Sequence, residues 1–358
     1  MTHKKILQIT AYPPPRCGWG VRVQYLKRRL EHLGHACVVL NTGPGRTIPS
    51  DEYETVMSGW DYLRKVWRFS RDDFVAHVHT NGKSLQGLLL ALIAEVVNVL
   101  WGKRCFLTFH AGEDQKYFPR HRAPLLVPLF WMLFAIPRHI ICNNTAVKTR
   151  IAEYGVSPAK IAPIPAFSRQ YLQFEHVGLG DTIEEFYTRF PSVLFCYIHL
   201  QATYHADVLV DAFAEVARER PTAGLVLCGV MGHREETVWR DLQERMTRLD
   251  LRDRILVVHD LDHDGFLTAL SRSKAYVRTT PADGVSSSVL EALALRVPVV
   301  AAENGARPAG TVTYEATNAR ALSARLLEVL DQRDAIAAAI PAPLIADTLE
   351  DEAQLLLA

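Results

Sequence analysis

Short apolar runs alternate with helical stretches along most of the chain, and this rhythm predicts repeated strand–helix units with parallel sheets. The first series of predicted strands covers residues 6–10, 36–40, 75–79, 105–109, 139–143 and 160–165. The second series covers residues 192–198, 224–230, 255–259, 275–279, 297–302 and 311–314. Two such series predict an α/β protein with two doubly wound domains and a cleft between them.

The rhythm breaks between the two series, and this break sets the predicted domain limits. The predicted segments are an N-terminal domain at 1–168, a linker at 169–191, a C-terminal domain at 192–342 and a closing helix at 343–358. Gly178, Gly180 and several acidic residues indicate the linker. The closing helix is expected to pack back towards the N-terminal domain. A length of 358 residues suits two domains that each bury their own core.

The segment 275–310 carries the most informative pattern in the chain. It predicts a buried strand, a Gly/Ser turn, a helix and a second buried strand, and Asp283 and Glu291 bracket the turn. Three consecutive serines precede the helix: Ser286, Ser287 and Ser288. Their hydroxyls and the free backbone N–H groups of the helix start predict a seat for an anionic, phosphorylated ligand. A carboxylate near such a helix start can accept hydrogen bonds from ribose hydroxyls.

The same residues also fit a structural role that needs no ligand. Ser288-x-x-Glu291 matches a capping box, in which the two side chains satisfy orphan N–H groups of the helix start. On these two residues alone both roles stay open. The Asp283-Gly284 pair and the two flanking strands favour the ligand site.

This segment resembles the signature of family-4 retaining glycosyltransferases of the GT-B fold, which has two Rossmann-like domains. The usual pattern there is Glu-x7-Glu, an alanine-rich helix, a Pro-Val-Val strand and a small glycine loop. Asp283 stands in place of the first Glu and Glu291 keeps the second, so this is an atypical Asp-x7-Glu form. The Arg278-Thr279 and Asp283-Gly284 pairs resemble those of a subgroup.

The resemblance implies a role for each of these residues. Glu291 would hold the ribose of the donor, the three serines its diphosphate, and Asp283 the transferred sugar. Arg278 and Gly284 are further donor-binding candidates within the same segment.

A second candidate lies after the first predicted strand, where Arg16, Gly18 and Gly20 precede a predicted helix at 21–33. Paired glycines allow a backbone to approach a ligand closely. In the resembling family this loop faces the donor diphosphate and the acceptor. An ordinary strand-to-helix turn is the alternative, because Gly-x-Gly alone is weak and the third glycine of a dinucleotide fingerprint is missing.

A third candidate lies after the fourth predicted strand. His110 resembles the family's active-site histidine, which touches the donor sugar near the reacting carbon. A lone histidine is usually structural, but its place at a strand end favours function. Glu113 and Asp114 follow and are acceptor candidates, whereas His77 and His79 are predicted to be packing and loop residues.

The sequence differs from the family pattern at the residues that bind the donor phosphates. The family has an Arg and a Lys after the first strand of the second domain, and His199 and Tyr204 fall there instead. Neither carries a permanent positive charge, so strong charge-assisted hydrogen bonds to the diphosphate are lost. Arg278, one strand over, is the candidate replacement, and Arg307 or Arg16 could contribute. Either the grip is rearranged, or catalysis is weak or absent.

The resemblance implies an activity as well as a fold. The chain would move a hexosyl group from a UDP- or GDP-linked sugar to a hydroxyl of a glycan or lipid-linked acceptor. Transfer would proceed with retention and without a metal or other cofactor, in bacterial-type polysaccharide or glycoconjugate synthesis. The N-terminal domain would serve the acceptor and the C-terminal domain the donor. Two alternatives stay open: a non-catalytic nucleotide- or glycan-binding relative, and a nucleotide-sugar epimerase on the same fold.

Composition narrows the partners and the compartment. Forty Lys and Arg against 39 Asp and Glu leave the net charge near zero, which argues against nucleic acid. The six cysteines form no close pairs and no zinc-ligand spacing, so a reduced, cytoplasmic protein is predicted. The chain begins with a predicted strand instead of a signal-peptide core.

Two apolar segments raise the question of membrane contact. Residues 84–101 contain Glu95 and Asn98, and residues 123–137 are too short to span, so both predict buried helices. Four apolar side chains surrounded by Arg and Lys could share one helical face: Trp60, Leu63, Trp67 and Phe74. Such a helix either covers a core or rests on anionic lipid. Peripheral contact at the inner face of the membrane is therefore an open expectation.

Overall fold

The chain divides into two compact units, Met1–Gln170 with Ala346–Ala358, and Tyr171–Ile345. The computed structural model describes residues 3–13, 18–112, 115–229, 235–259, 261–281, 286–341 and 346–358. Each unit contains a parallel six-stranded sheet flanked by helices, which confirms the predicted two-domain α/β architecture.

The sheet of the first unit has the order β2-β1-β3-β4-β5-β6. Its strands are β1 (Lys5–Thr10), β2 (Ala36–Asn41), β3 (Val75–Thr80), β4 (Phe106–Phe109), β5 (His139–Cys142) and β6 (Ile161–Pro163). Its helices are α1 (Gly18–His32), α2 (Gly59–Arg71), α3 (Leu85–Leu100), α4 (Val127–Ala135), α5 (Thr145–Ala152) and the C-terminal helix (Thr348–Leu357). Because β1 lies between β2 and β3, the direction of the crossovers reverses there, and such a switch point opens a crevice beyond the strand ends.

The residues of β1 alternate between two core layers on opposite faces of this sheet. Ile6 packs with Leu26 and Leu30 of α1 on one face. Leu7 and Ile9 join the larger core on the other face, where α2 to α5 pack. This alternation is the period of two expected for a strand buried on both faces.

The C-terminal helix is fastened to α1 by a buried ion pair. Arg22 of α1 pairs with Glu352, although both side chains are almost completely buried. Arg22 also donates from Nη2 to the carbonyl of Thr348 at 2.8 Å. Leaving one member of a buried pair alone costs about 3–5 kcal/mol. The C-terminal helix is therefore an integral part of the first unit.

The sheet of the second unit has the order β12-β11-β10-β7-β8-β9. Its strands are β7 (Ser192–Tyr197), β8 (Ala223–Cys228), β9 (Ile255–Val258), β10 (Ala275–Arg278), β11 (Val299–Ala302) and β12 (Thr311–Tyr314). Its helices are α6 (Asp181–Arg189), α7 (Ala206–Glu219), α8 (Glu236–Arg248), α9 (His263–Arg272), α10 (Ser287–Ala294), α11 (Ala319–Asp331) and α12 (Arg333–Ala339). The switch point lies between β7 and β10, the two neighbours from which the crossovers run in opposite directions.

The segment predicted as a linker contains a helix. Gly180, at φ 81°, precedes α6 in a backbone conformation that glycine adopts without strain. Ile183, Phe186 and Phe190 then pack into the core of the second unit. Their spacing of three and four residues is that of an amphipathic helix. Residues 169–191 are thus not a plain connection, because their second half contributes to a hydrophobic core.

Helix α3 has an unusual distribution of polar and apolar residues. Glu95 and Asn98 are completely buried, whereas leucine, isoleucine and valine side chains lie on its exposed side. Asn98 is satisfied, since Oδ1 accepts from the Ala76 amide at 2.8 Å and Nδ2 donates to Ser70 Oγ at 2.7 Å. Glu95 differs, because neither carboxyl oxygen has a hydrogen-bond partner among the described residues. The prediction of a helix buried at 84–101 therefore holds for one side only.

Burial raises the pKa of Glu95 well above its usual value, and a weaker effect of Lys160 opposes the shift. The folded protein therefore holds this carboxyl group protonated at pH values where the unfolded chain, with a glutamate pKa of about 4.3, has released the proton. Each pH unit in that window costs the folded state about 1.4 kcal/mol. Glu95 thus destabilises the first unit increasingly as the pH rises above that value.

We predict that Glu95→Met raises the free energy of unfolding at pH 7, because burying a polar group without a hydrogen bond costs about 1–3 kcal/mol and the proton uptake on folding is removed. The gain should shrink as the pH falls towards 4.3. Urea unfolding of both proteins between pH 5 and pH 8 measures it. A gain that does not change with pH would contradict the proposed neutral state of Glu95.

Candidate functional sites at the carboxyl edges of the sheets

A chain of hydrogen-bonding side chains crosses the carboxyl edge of the first sheet. His79, near the end of β3, lies with Nε2 2.9 Å from Gln8 Oε1 and with Nδ1 3.0 Å from His110 Nε2. His110 follows β4 directly, and its amide donates to the carbonyl of Thr80 at 2.8 Å. Parallel pairing of β3 with β4 therefore brings the two rings together. His79 was predicted as a packing residue, but it contacts the candidate active-site histidine.

The hydrogen bonds assign the tautomers of the two rings. With Gln8 Oε1 placed as the acceptor, Nε2 of His79 is assigned a proton and its Nδ1 none. Nε2 of His110 must then donate to His79, which leaves Nδ1 of His110 unprotonated. That nitrogen can accept a hydrogen bond from a hydroxyl group of a ligand.

A third histidine packs against His79. His77 lies with Nε2 2.7 Å from Thr108 Oγ1, and its ring centroid lies 4.2 Å from that of His79. The same nitrogen lies 3.9 Å from a carboxylate oxygen of Glu352 in the C-terminal helix. The buried ion pair of Arg22 and Glu352 thus borders the histidine cluster.

Burial keeps these rings neutral. It lowers the pKa of His77 to about 3, and charge repulsion from His110 and Arg22 adds to the effect. The pKa values of His79 and His110 also lie well below the usual range, first because of burial and then because of their histidine neighbours and Arg22. Neutral imidazoles are what the assigned tautomers require.

The glycines after β1 lie in a helix instead of a loop. Helix α1 begins at Gly18, so Gly18 and Gly20 belong to its first turn and precede the predicted start of the helix. Trp19, between them, packs edge-on against His110 with ring centroids 4.5 Å apart. The sequence did not single out Trp19. Arg16, Glu113 and Asp114 lie outside the described residues.

Trp19 and His79 also line a cavity of about 420 Å³ in the first unit. The cavity lies beyond the ends of β1, β2 and β3, at the switch point of this sheet. Ser58 and Ser84, the N-terminal caps of α2 and α3, and the side chain of Arg46 form part of its wall. A ligand in this cavity would therefore contact apolar side chains, hydroxyl groups and one positive charge.

The switch point of the second sheet is occupied by Arg278, the last residue of β10. Its Nη1 donates to the carbonyl of Tyr197, the last residue of β7, at 3.0 Å. Its guanidinium carbon lies 5.2 Å from the ring centroid of Tyr204. His199 packs edge-on against Tyr204 and Tyr197, with centroids 5.3 and 5.5 Å apart. The structure therefore brings Arg278, His199 and Tyr204 together.

The serine turn is organised by a residue that the sequence did not indicate. Tyr276, buried in β10, donates from its hydroxyl to Ser288 Oγ at 2.6 Å, and Ser288 Oγ lies 3.0 Å from Ser286 Oγ. Helix α10 begins at Ser287 with Ser286 as its N-cap residue, so Ser288 is the second helical residue. Ser288 and Glu291 therefore do not occupy the positions of a capping box. Asp283 and Gly284 lie outside the described residues.

Glu291 and Arg307 complete the described part of this edge. Glu291 lies in α10 and is only 3% exposed. Arg307 donates from Nε to the carbonyl of Ala302 at 2.8 Å and from Nη2 to that of Thr280 at 2.7 Å. Arg278 and Arg307 thus connect the carboxyl ends of β7, β10 and β11.

We predict that the neutral histidines make the protein less stable in acid. Between pH 6.5 and about 3 the unfolded chain protonates His77 and the folded chain does not, so folding weakens as the pH falls. His77→Asn should therefore reduce the slope of unfolding free energy against pH by up to about 1.4 kcal/mol per unit in that range. Urea unfolding between pH 5 and pH 7 measures the slope, with exposed His32→Asn as control. An unchanged slope would show that His77 becomes protonated in the folded protein.

Two family models match the sequence. The model described as Glycosyltransferase Family 4 matches residues 17–167, and the model described as Glycosyl transferases group 1 matches residues 189–340. No curated protein matches the chain.

Several solved structures share the fold at low sequence identity. Anabaena HepE in complex with UDP-glucose is 16% identical with a TM-score of 0.72, and the match covers 99% of each chain. A glycosyltransferase from Rickettsia africae is 14% identical with a TM-score of 0.66, over 99% of this chain and 98% of that one. A putative UDP-N-acetylglucosamine 2-epimerase from Listeria monocytogenes is 16% identical with a TM-score of 0.66, over 99% and 95%. The fold is that of the GT-B glycosyltransferases, and the chain carries a glycosyltransferase family 4 domain followed by a glycosyl transferases group 1 domain.

Proposed function

We propose that the protein transfers a hexosyl group from a uridine diphosphate sugar to a hydroxyl group of a glycan or lipid-linked acceptor. The observation that carries the proposal is the switch point between β7 and β10, where Arg278 lies against Tyr204 at the end of the strand whose Tyr276 bonds to the serine turn. The two family matches support transferase activity. Uridine is proposed as the base because similar structures hold UDP or UDP-glucose.

In this proposal the donor diphosphate lies at the start of α10. Backbone N–H groups of the first helical turn and the hydroxyls of Ser286, Ser287 and Ser288 would donate to its oxygens. Arg278 would supply positive charge from the neighbouring strand end, with His199 and Tyr204 against it in place of the family's Arg and Lys. Glu291 would accept from the ribose hydroxyls, and Asp283 and Gly284 would face the sugar.

Transfer would need the leaving diphosphate to be stabilised as its bond to the sugar breaks. Helix N–H groups and a guanidinium that are already in place provide that stabilisation without reorganisation. The departing phosphate oxygen would take the proton of the attacking hydroxyl on the same face of the sugar, which gives retention. His110, neutral and with Nδ1 unprotonated, would accept a hydrogen bond from a substrate hydroxyl. No step in this scheme uses a metal ion.

The acceptor is proposed to use the cavity of the first unit. Its wall combines aromatic and aliphatic side chains such as Trp19, Tyr62 and Leu90 with the serine caps of two helices. That combination suits a sugar with an apolar substituent. Arg16, Glu113 and Asp114 are further acceptor candidates from the sequence.

One observation favours a second function. Arg278 and Arg307 both hydrogen-bond backbone carbonyls, so a protein that only binds nucleotides or glycans could use them to fix its loops. An epimerase is the other alternative on this fold. NMR of the protein with UDP-N-acetylglucosamine and candidate acceptors separates the three. A transferase releases UDP and yields a glycoside whose anomeric coupling reports retention, an epimerase changes the donor at carbon 2, and a binding protein does neither.

We predict that Glu291→Gln weakens UDP binding roughly tenfold or more, because hydrogen bonds from ribose hydroxyls to a carboxylate are lost. Calorimetry with UDP and with 2′,3′-dideoxy-UDP isolates this contribution. The wild type should prefer UDP, whereas the variant should bind the two ligands alike. Exposed Glu244→Gln in α8 is the matched control. Equal UDP affinity of wild type and folded variant would refute the ribose role.

We predict that Arg278→Ala weakens binding of UDP more than binding of uridine, because only UDP carries the phosphates. Arg307→Ala, which removes the other guanidinium at this edge, is the matched comparison. Calorimetry with both ligands measures the two ratios. An equal loss for UDP and uridine in Arg278→Ala would mean that Arg278 serves only to hold the loop after β7.

A further inference from the structure

Three neighbouring helices of the first unit present an apolar outer surface. Helix α3 packs between α2 and α4 on one face of the sheet. Tyr62 of α2 donates to the carbonyl of Leu90 in α3 at 2.7 Å, and the rings of Trp67 and Trp101 meet edge-on at 5.4 Å. We call the exposed sides of α2, α3 and α4 the three-helix surface.

Helix α3 contributes an aliphatic stripe to this surface. Its exposed residues include Leu85, Leu89, Ile93, Val96 and Leu100, which are spaced by three and four residues and so lie along one side. A helix that faced only water would carry polar residues there. Exposed apolar area of this extent is typical of a site of contact with another apolar phase.

The flanking helices add aromatic side chains. Trp60 of α2 is 75% exposed, and Trp131 of α4 is about half exposed. Leu125, just before α4, is 94% exposed. Tryptophan is enriched where a bilayer meets water, because the ring is apolar and its N–H group is polar.

The fully exposed charges of the three-helix surface are positive. Three arginines, Arg64, Arg68 and Arg71, lie on the same side of α2 as its tryptophans. These are Trp60 and Trp67. All residues of α2, α3 and α4 are described, and their one carboxylate with partial exposure, that of Asp61 at 23%, is paired with Lys65 at 3.2 Å. Arg68 and Arg71 do contact Glu54 and Asp72 outside the helices, at 3.2 and 3.1 Å on the protein surface. Exposed pairs of this kind are weak and exchange readily for other anions.

We propose that the three-helix surface docks onto an anionic phospholipid bilayer. The aliphatic stripe of α3 enters the boundary between headgroups and acyl chains, the tryptophans lie at headgroup level, and the arginines of α2 meet lipid phosphates. No helix in the described part of the chain is long and apolar enough to cross a membrane, so the helices lie along its surface. This corrects the sequence-based expectation for α2, because Leu63 and Phe74 pack against the core and α3 and α4 supply most of the apolar contact. The proposal does not depend on transferase activity.

Co-sedimentation with vesicles tests the proposal. One set contains phosphatidylcholine alone, and the other contains equal parts of phosphatidylcholine and phosphatidylglycerol. The wild type should bind the anionic vesicles more tightly, with affinity falling as salt is added. Its tryptophan emission should shift to shorter wavelength on binding.

Matched charge substitutions test which surface binds. Leu89→Glu should weaken binding to anionic vesicles about tenfold or more, because a charge replaces an inserted leucine. Leu33→Glu is the control, since Leu33 is similarly exposed but follows α1 on the opposite face of the sheet. Arg64→Glu should reduce the preference for anionic vesicles. Circular dichroism and urea unfolding confirm that each variant is folded.

Two results would overturn the proposal. One is a wild type that binds neither kind of vesicle, or a Leu89→Glu variant that binds as the wild type does. The other is a dimer in analytical ultracentrifugation without lipid that Leu89→Glu dissociates, because a second copy of the chain would then occupy the surface. Loss of vesicle binding with unchanged UDP affinity separates this proposal from that of the donor site.

Discussion

The polarity of parallel strands is the constraint on which both candidate sites depend. Strand pairing in both sheets is parallel, so within each sheet all carboxyl ends lie at one edge, together with the N-termini of the following helices. Strands covered on both faces are mostly apolar along their length, so most polar chemistry lies at their ends. Gln8 and His77, inside β1 and β3, are exceptions whose side chains bond to His79 and Thr108. His79 at the end of β3 and Arg278 at the end of β10 follow this rule.

The two units satisfy the polar groups of this edge in different ways. In the first unit buried imidazoles bond to each other and to Gln8, and burial favours their neutral form. In the second unit guanidinium groups of Arg278 and Arg307 donate to strand-end carbonyls, which accept without needing a charge of their own. The first arrangement suits a group that accepts a hydrogen bond from a hydroxyl, and the second suits binding of an anion.

Most of the fold could be predicted from the sequence, because an apolar run of strand length between polar segments fits few structures besides a buried strand. All predicted strands are present with limits that differ by at most two residues. The helix α6 was missed because glycines precede it and acidic residues lie within it, and its apolar residues become informative only beside the core of the second unit. The contacts between residues of different strands and helices could not be predicted from the sequence. The pairing of His79 with His110, the bond from Tyr276 to Ser288 and the placement of Trp19 depend on strand register and helix start, which no local motif specifies.

Helix α3 links stability to surface chemistry. Holding a carboxyl group inside without a hydrogen-bond partner costs the folded state free energy in water, and exposing leucines recovers none of it. Folded proteins are only marginally stable. Exposed apolar residues that serve no purpose are therefore expected to be replaced by polar residues. The proposed docking onto a bilayer would supply such a purpose, because the exposed leucines would gain burial there. The cavity beyond β1 to β3 lies beside the caps of α2 and α3. In the proposed docking, an acceptor with an apolar substituent would reach that cavity from the lipid surface.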